Sequence, residues 1–364
     1  MSKRYRVRIN RRTAMGLALA ATPVAATLAA GARGALAQDE VVVTMVTDTL
    51  GLGDQNFNDL AKRGLDQAVE DLGVRGEVIE SRDQASYLPN LTQAADQSDL
   101  TVAVGFLLID AIAEVSAQFP DEYFLLIDAV VEEDNVTSVV FKEQEGAFLA
   151  GVAAGLSTES NQIGILGGLE IPPVIRYEVG FEAGVLSVNP EAEVTASYVG
   201  NFDDVALGRE LSLAMYNNGA DIVFAIAGRA GIGPFEAAGE LGEGYWVVAA
   251  DTDQSQLGAE HQLAVATKGV DTALYTVAEQ VVNDAFQGGV LDLGLAEGGV
   301  GLEDPNGHLS DETLAVVDQY RQAIIDGTIV VPADRDQLAA FEMVAPDALP
   351  AAGASPEAEA TPVA

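Results

Sequence analysis

The sequence predicts an α/β protein built on parallel sheets, and three observations carry that prediction. Strand-like and helix-like segments alternate from residue 41 to residue 326, the rhythm of strands joined by crossover helices. Many strand-like segments are unbroken runs of Val, Ile, Leu and Ala, as in strands covered on both faces. Without its leader the chain has roughly 300 residues that can order, which suits two domains or one large α/β unit.

The first strand, 41–46 (VVVTMV), is β-branched and gives way at Asp48 to a loop with Gly51 and Gly53. Leu60, Leu65, Ala68, Val69 and Leu72 then recur at helical spacing and mark a helix over 56–72. Strand 76–80, helix 89–97, strand 100–105 (LTVAVG) and helix 109–118 follow. Two apolar runs, 123–128 (YFLLID) and 136–141 (VTSVVF), come in succession before helix 145–157. Strand 162–167 leads to helix 174–188, whose start is marked by Pro172-Pro173, because proline fits a helix's first turn. Strand 194–199, helix 204–217, strand 221–226 (DIVFAI), helix 232–240, strands 245–250 (YWVVAA) and 263–267, and helices 271–287 and 309–326 complete the pattern. The two halves share one βα rhythm without a short tandem repeat. Residues 345–364 are rich in Pro, Ala and Glu, with little to bury, and predict a disordered tail.

The turn after the first strand is the most informative stretch. In an open parallel sheet, ligands bind at the carboxyl ends of the strands. This turn carries Asp48, Asn56, Phe57 and Asn58, a set suited to a flat molecule with polar edges: stacking on Phe57, hydrogen bonds from Asn56 and Asp48. The plainer alternative is a βα loop in which Asp54 or Asn56 caps the helix and Phe57 is core.

Residues 1–37 read as an export leader. Lys3, Arg4, Arg6, Arg8, Arg11 and Arg12 precede an Ala/Leu-rich stretch over 14–30, and Ala35-Leu36-Ala37 fits a cleavage site ahead of Gln38. Arg11-Arg12 suits a twin-arginine signal, although Thr13-Ala14 rather than a bulky pair follows. Thr22 and Pro23 interrupt the apolar stretch, so the mature chain is expected to be exported, periplasmic or extracellular, without stable membrane insertion. The chain has no cysteine, which removes disulfides, thiolate metal sites, cysteine nucleophiles and a lipidated N-terminal cysteine together.

Seven of the 18 Lys and Arg residues lie in the leader, which has no acid, so the remainder carries 11 basic against 56 acidic groups, net −45. Such a field repels nucleic acid and anionic surfaces and fits a salt-rich milieu. It also favours a neutral ligand over a phosphorylated one. Only Lys62, Lys142 and Lys268 remain as lysines after the leader. Lys62 beside Arg63 reads as solvated surface, whereas Lys142 and Lys268 each end an apolar run.

Other motifs fail on their spacing. Gly228-Arg229-Ala230-Gly231-Ile232-Gly233 is not G-x-G-x-x-G and reads as a helix-entry turn. Asp54 to Asn58 imitates the start of a calcium loop, but position six is Asp59 and position twelve Leu65. Asp251-Thr252-Asp253 lacks further cation ligands. His261 and His308 form no metal spacing, and no G-x-S-x-G occurs.

An ordered series of segments over residues 41 to 302 resembles the basic membrane protein family, the purine-nucleoside-receptor-like substrate-binding proteins of ABC transporters. The series comprises Asp48…Asp54-x-x-Phe57-Asn58, VAVGFLLIDA (102–111), FPDEYFLLID (119–128), VVFKEQEGAFLAGVAAGL (139–156), IGILGG (163–168), GFEAGV (180–185), AIAGRAGIGPFEAA (225–238), VVAADTDQ (247–254) and ATKGVDTALY (266–275). The resemblance implies a type I periplasmic-binding fold: two doubly wound parallel-sheet lobes joined by a three-stranded hinge, closing on a ligand. It implies a first lobe of 38–142 plus 269–288 and a second of 143–268 plus 289–344. It further implies that Phe57 stacks on a base whose edge bonds to Asn56 and Asp128, with Asp48 in the same cleft. Asp251 and Lys268 then hold ribose hydroxyls, and Gly228 admits the ligand close to the backbone. A second aromatic is expected from Phe202, Phe224 or Phe235, and Arg176 could face the cleft. The chain departs from the family's lipoproteins in lacking the N-terminal cysteine.

The residues support that assignment independently, since Asp128 and Asp251 each end an apolar run and a carboxylate can accept from two hydroxyls of a diol. Each could equally be a helix cap or surface acid. The expected function is an exported monomeric binding protein, with no cofactor or metal, that delivers a purine nucleoside to an ABC permease and its ATPase. Two alternatives are the same fold holding riboflavin or another flat ligand, and an exported nucleoside-acting enzyme using Asp48 and Asp54 with a metal.

Overall fold

The apolar runs fold as two six-stranded sheets with the same internal order, in a computed structural model that describes residues 40–349. The chain starts with β1 (Val42–Val46), α1 (Phe57–Leu72), β2 (Arg75–Ile79), α2 (Tyr87–Gln97), β3 (Leu100–Ala103), α3 (Ile109–Gln118), β4 (Tyr123–Ile127) and β5 (Val136–Phe141). It then runs through α4 (Glu143–Ser157), β6 (Gln162–Gly167), α5 (Pro172–Val188), β7 (Glu193–Tyr198), α6 (Val205–Asn217), β8 (Ile222–Ile226), α7 (Ile232–Leu241), β9 (Trp246–Asp251) and β10 (Gln262–Lys268). Last come α8 (Val270–Val282), β11 (Gly289–Leu293), β12 (Val300–Glu303), α9 (Asp311–Ile325) and α10 (Arg335–Ala340).

The first sheet runs β11-β5-β4-β3-β1-β2 and is parallel throughout. The second runs β12-β10-β9-β8-β6-β7 and is parallel except for the edge strand β12. Strand for strand the orders match, so the β4 end of one sheet corresponds to the β9 end of the other. Helices α2 and α3 cover one face of the first sheet, and α1 and α8 the other. Helices α6 and α7 cover one face of the second sheet, α4 and α5 cover the other, and α9 packs on α4. Double coverage explains why β1, β3 and β8 are buried along their whole length.

The chain passes between the sheets three times: at Lys142, at Gly269, and over residues 294–299. Backbone bonds tie the crossings together, from Lys142 N–H to the Leu293 carbonyl at 3.0 Å and from Gly269 N–H to the Gly299 carbonyl at 2.8 Å. This is the expected three-stranded hinge. One boundary differs from expectation. Residues 289–293, assigned by the sequence to the second lobe, form β11 on the first sheet, because they pair in parallel register with β5. Their exposed edge position leaves no apolar run to read. The helix expected over 271–287 stops at Val282, since Asp284 takes a left-handed φ of 53°. Pro346–Ala348, at the start of the expected tail, forms one 3-10 turn. The expected leader and the rest of the tail lie outside the described residues, among which no helix is long and apolar enough to cross a membrane.

Helices α4 and α5 approach through glycines. A Cβ on Gly184 would overlap the Phe148 carbonyl, and one on Gly151 the Phe181 carbonyl. This close crossing sets the start of α5 against the start of α4, both beside the hinge. Gly184→Ala is expected to lower the unfolding free energy by about 1–3 kcal/mol, the usual cost of overpacking, read by chemical denaturation. An unchanged midpoint would show that the helices can separate freely.

Candidate functional site

The carboxyl ends of the two sheets line one cleft. Asp48 follows β1, Gly105, Phe106 and Leu107 follow β3, and Asp128 follows β4. From the second sheet come Ile171, Pro173, Val174 and Tyr177 after β6, Phe202 after β7, Gly228 after β8, Asp251 ending β9 and Lys268 ending β10. The cleft contains about 580 Å³ of atom-free space, part of it open to solvent. Each sheet contributes at the point where its strand order reverses, between β1 and β3 and between β6 and β8.

Of the residues singled out in the sequence, Asp48, Phe57, Asp128, Gly228, Asp251 and Lys268 lie together here. Asn56 does not line the cleft. It is buried ahead of α1, and its side-chain oxygen has no hydrogen-bond partner. Asp54 is the residue that caps α1. Its two oxygens accept from the backbone N–H groups of Asn56, Asn58 and Asp59 and from the Asn58 amide. Those bonds hold Asp54 in a structural role and leave the proposed Asp48/Asp54 metal pair without geometric support. Asn58 also donates to Asp48 at 2.9 Å, so the cap fixes the first cleft carboxylate.

Asp128 and Asp251 occupy equivalent strand ends, and both have left-handed backbones, with φ of 72° and 68°. Non-glycine residues adopt this conformation at a cost of about 1–3 kcal/mol, and such strain concentrates at functional sites. Lys268 joins them. Its ammonium lies 2.7 Å from Asp128 and 2.9 Å from Glu143, with Lys268 4 %, Asp128 8 % and Glu143 0 % exposed. The same ammonium sits 5.2 Å from the Phe57 ring centre, 5.1 Å from Phe141 and 5.9 Å from Tyr177, within cation–π range. Arg176, a candidate for the cleft, instead donates to the other oxygen of Glu143. Lys268 thus serves first as a buried hinge cation, because two carboxylates reach it before any ligand does.

Burial pushes Asp128 up to about 6, against the pull of Lys268. Burial also raises Asp48, opposed by the Asn58 and Leu50 hydrogen bonds, and raises Asp251, opposed by Lys268 and by Tyr177. For Lys268 burial favours the neutral amine, but Asp128, Glu143 and Asp251 outweigh it and hold the ammonium above its ordinary value. The lining therefore has three carboxylates and one cation already paired.

The aromatic walls come from both sheets. Phe57 is half-buried, and its ring lies beside Gly105, which holds a φ of 110° that favours glycine. Of the three candidates for a second aromatic, Phe202 alone lines the cleft. Phe224 stacks on Phe181 at 4.6 Å in the core, and Phe235 is buried on the core-facing side of α7. Phe202 lies over Gly168, where a Cβ would overlap its ring, and beside Gly228. Tyr177 escaped the sequence reading. It lines the cleft and donates to Asp251 at 2.8 Å. The signal was its place in the first turns of α5, after Pro172-Pro173.

Residues 41–335 match the family model of PnrA-like ABC transporter substrate-binding proteins. The CD4+ T-cell-stimulating antigen of Listeria monocytogenes is 35% identical over 315 residues, covering 80% of this chain and 88% of that one. The ABC transporter nucleoside-binding protein BmpA of Lactococcus lactis is 32% identical over 328 residues, covering 84% and 92%. Among solved structures, a solute-binding protein of an ABC transporter system from Aeropyrum pernix K1 superposes with a TM-score of 0.76 at 30% identity, covering 82% of this chain and 96% of that one. These likenesses extend over both sheets and the hinge.

Lys268→Met leaves Asp128 and Glu143 buried without their shared cation. Removing one partner from such a pair is expected to cost about 3–5 kcal/mol, read as a lowered thermal midpoint. Lys62→Met, which breaks an exposed pair with Asp66, is the control and should shift the midpoint little. Equal, small shifts for both would remove Lys268 from the hinge.

Proposed function

The chain belongs to the PnrA-like family of ABC transporter substrate-binding proteins, and from that premise we propose that it captures a purine nucleoside between its two lobes. In this reading the closed form hands the nucleoside to the permease and ATPase of an ABC importer, and the protein acts as an exported monomer without making or breaking bonds. The observation that carries it is that Phe57 from the first lobe and Phe202 from the second line one cleft together with Asp48, Asp128 and Asp251. Two rings suit the faces of a base. A carboxylate has about four lone-pair sites, so Asp128 can hold Lys268 and still accept N–H groups from the base edge. Asp251, oriented by Tyr177, suits the ribose hydroxyls. Lys268 borders the same cleft, and Gly228, which has no side chain, lets the ligand approach the backbone there. Ligand bridging both lobes shifts the open–closed equilibrium by its greater affinity for the closed form.

The lining supports a neutral ligand, since its carboxylates outnumber its one paired cation. Calorimetry should find guanosine or inosine binding far more tightly than the corresponding monophosphates. Nucleotide binding of equal strength would sink the reading. Phe57→Ala and Phe202→Ala should each weaken nucleosides about tenfold to hundredfold, the effect of losing one stacking partner at roughly 1–3 kcal/mol.

The acceptor role of Asp128 predicts a pH dependence. Its carboxylate must be ionised to accept from base N–H groups, and burial pushes its pKa up to about 6. Guanosine affinity should be flat above neutrality and fall as the pH drops through that value. Asp128→Asn should bind more weakly and lose the slope. A wild-type profile that rises on acidification would show that the neutral acid is the binding form.

A further inference from the structure

We propose that Arg229 is a positioning residue that latches the mouth of the cleft and reports the state of Asp48 to the opposite lobe. Its guanidinium is one of eight arginines left after the leader, and it stands just outside the lining, in the 3-10 turn Gly228–Gly231 that enters α7. One arm, Nη1, pairs with Asp203 of the same lobe at 2.7 Å. The other, Nη2, crosses the cleft and donates to the Leu50 carbonyl at 2.8 Å. Asp203 thus aims the donor, and a main-chain oxygen of the first lobe receives it.

Leu50 is not an arbitrary acceptor. Its N–H donates to Asp48 at 3.0 Å, and Asp48 is held by Asn58. Gly51 and Gly53 follow at φ of 65° and 79°, and the Leu52 and Gly53 N–H groups donate to Glu80 and Asp59, so hydrogen bonds help to shape the segment. The chain of contacts runs Asp203, Arg229, Leu50, Asp48, cleft. Whatever engages Asp48 steadies the carbonyl that Arg229 needs, and whatever frees Asp48 loosens it. Arg229 in turn lowers the Asp48 carboxyl, against the larger effect of burial. A second contact from the same lobe, Gln254 to the Gln55 carbonyl at 3.4 Å, is long and adds little. Both lobes are strongly acidic, so a cation bridging the rim acts where their like charges would otherwise part them.

The latch is a contact of the approached lobes only. Its loss should therefore appear in dissociation and leave association nearly unchanged. The ligand arm of the test rests on the nucleoside reading; the second arm does not. In stopped-flow experiments with inosine, Arg229→Met should dissociate about tenfold to hundredfold faster, the effect of losing one charge-assisted hydrogen bond. Arg229→Lys should recover part of the loss, and Asp203→Asn should shift dissociation in the same direction by less. In parallel, the cysteine-free chain accepts spin labels at Gln97→Cys and Glu210→Cys, exposed positions on α2 and α6. The interlobe distance distribution without ligand should move toward the longer, open population in Arg229→Met. Wild-type dissociation together with a wild-type distribution overturns the latch. If inosine and guanosine fail to bind the wild type, the nucleoside reading falls and the distance arm alone decides the latch. If Arg229→Met does not fold, Asp203→Asn carries both arms.

Discussion

One buried ammonium organises the centre of this molecule. Lys268 ends the second sheet's β10, yet its charge is balanced by Asp128 from the first sheet and by Glu143 at the first crossing. Arg176 backs Glu143 from α5. The four charges cancel. That matters because a lone charge in such a place costs several kcal/mol, while a matched group with short bonds is tolerated. The pair also fixes where the lobes can pivot, since its members sit on both sides of the hinge.

The repeated architecture explains how the cleft acquires matched walls. Corresponding strands end in corresponding devices: Asp128 and Asp251 in left-handed conformations, Gly105 and Gly228 at positive φ beside a phenylalanine. The two lobes differ where the hinge meets them. The position that is Phe141 in β5 is Lys268 in β10, counted from the strand pairings with β4 and β9. One fold unit used twice therefore gives a site whose faces are alike and whose floor is polar on one side.

The sequence made most of the strands and helices legible, because double-sided coverage leaves unbroken apolar runs and α1 carries a clear 3.6-residue rhythm. The failures share a cause. The edge strands β11 and β12 carry too few buried residues to leave such a run, so nothing in residues 289–293 marks them as part of the first sheet. The end of α8 lay in the left-handed turn at Asp284, which composition does not announce. In the cleft, strand-end acids were visible because they interrupt apolar runs. Tyr177 was hidden, since an aromatic within a helix reads as core until its hydroxyl partner is known. Lysine scarcity pointed to Lys268 without revealing that its main partners are protein carboxylates.

The placement of β11 and α8 bears on the order in which the chain can acquire its structure. The first sheet needs residues 42–141, yet one of its faces is covered by α8 and its edge is completed by β11, which ends at Leu293. The second needs β12, ending at Glu303, and α9 beyond it. Neither lobe can close its core until most of the polypeptide has left the ribosome. During synthesis, long apolar strands therefore wait without partners, and contacts distant in sequence must form last and slowly. Dense negative charge along the waiting segments keeps neighbouring nascent chains apart, so acidity that serves the finished surface also guards the unfinished one.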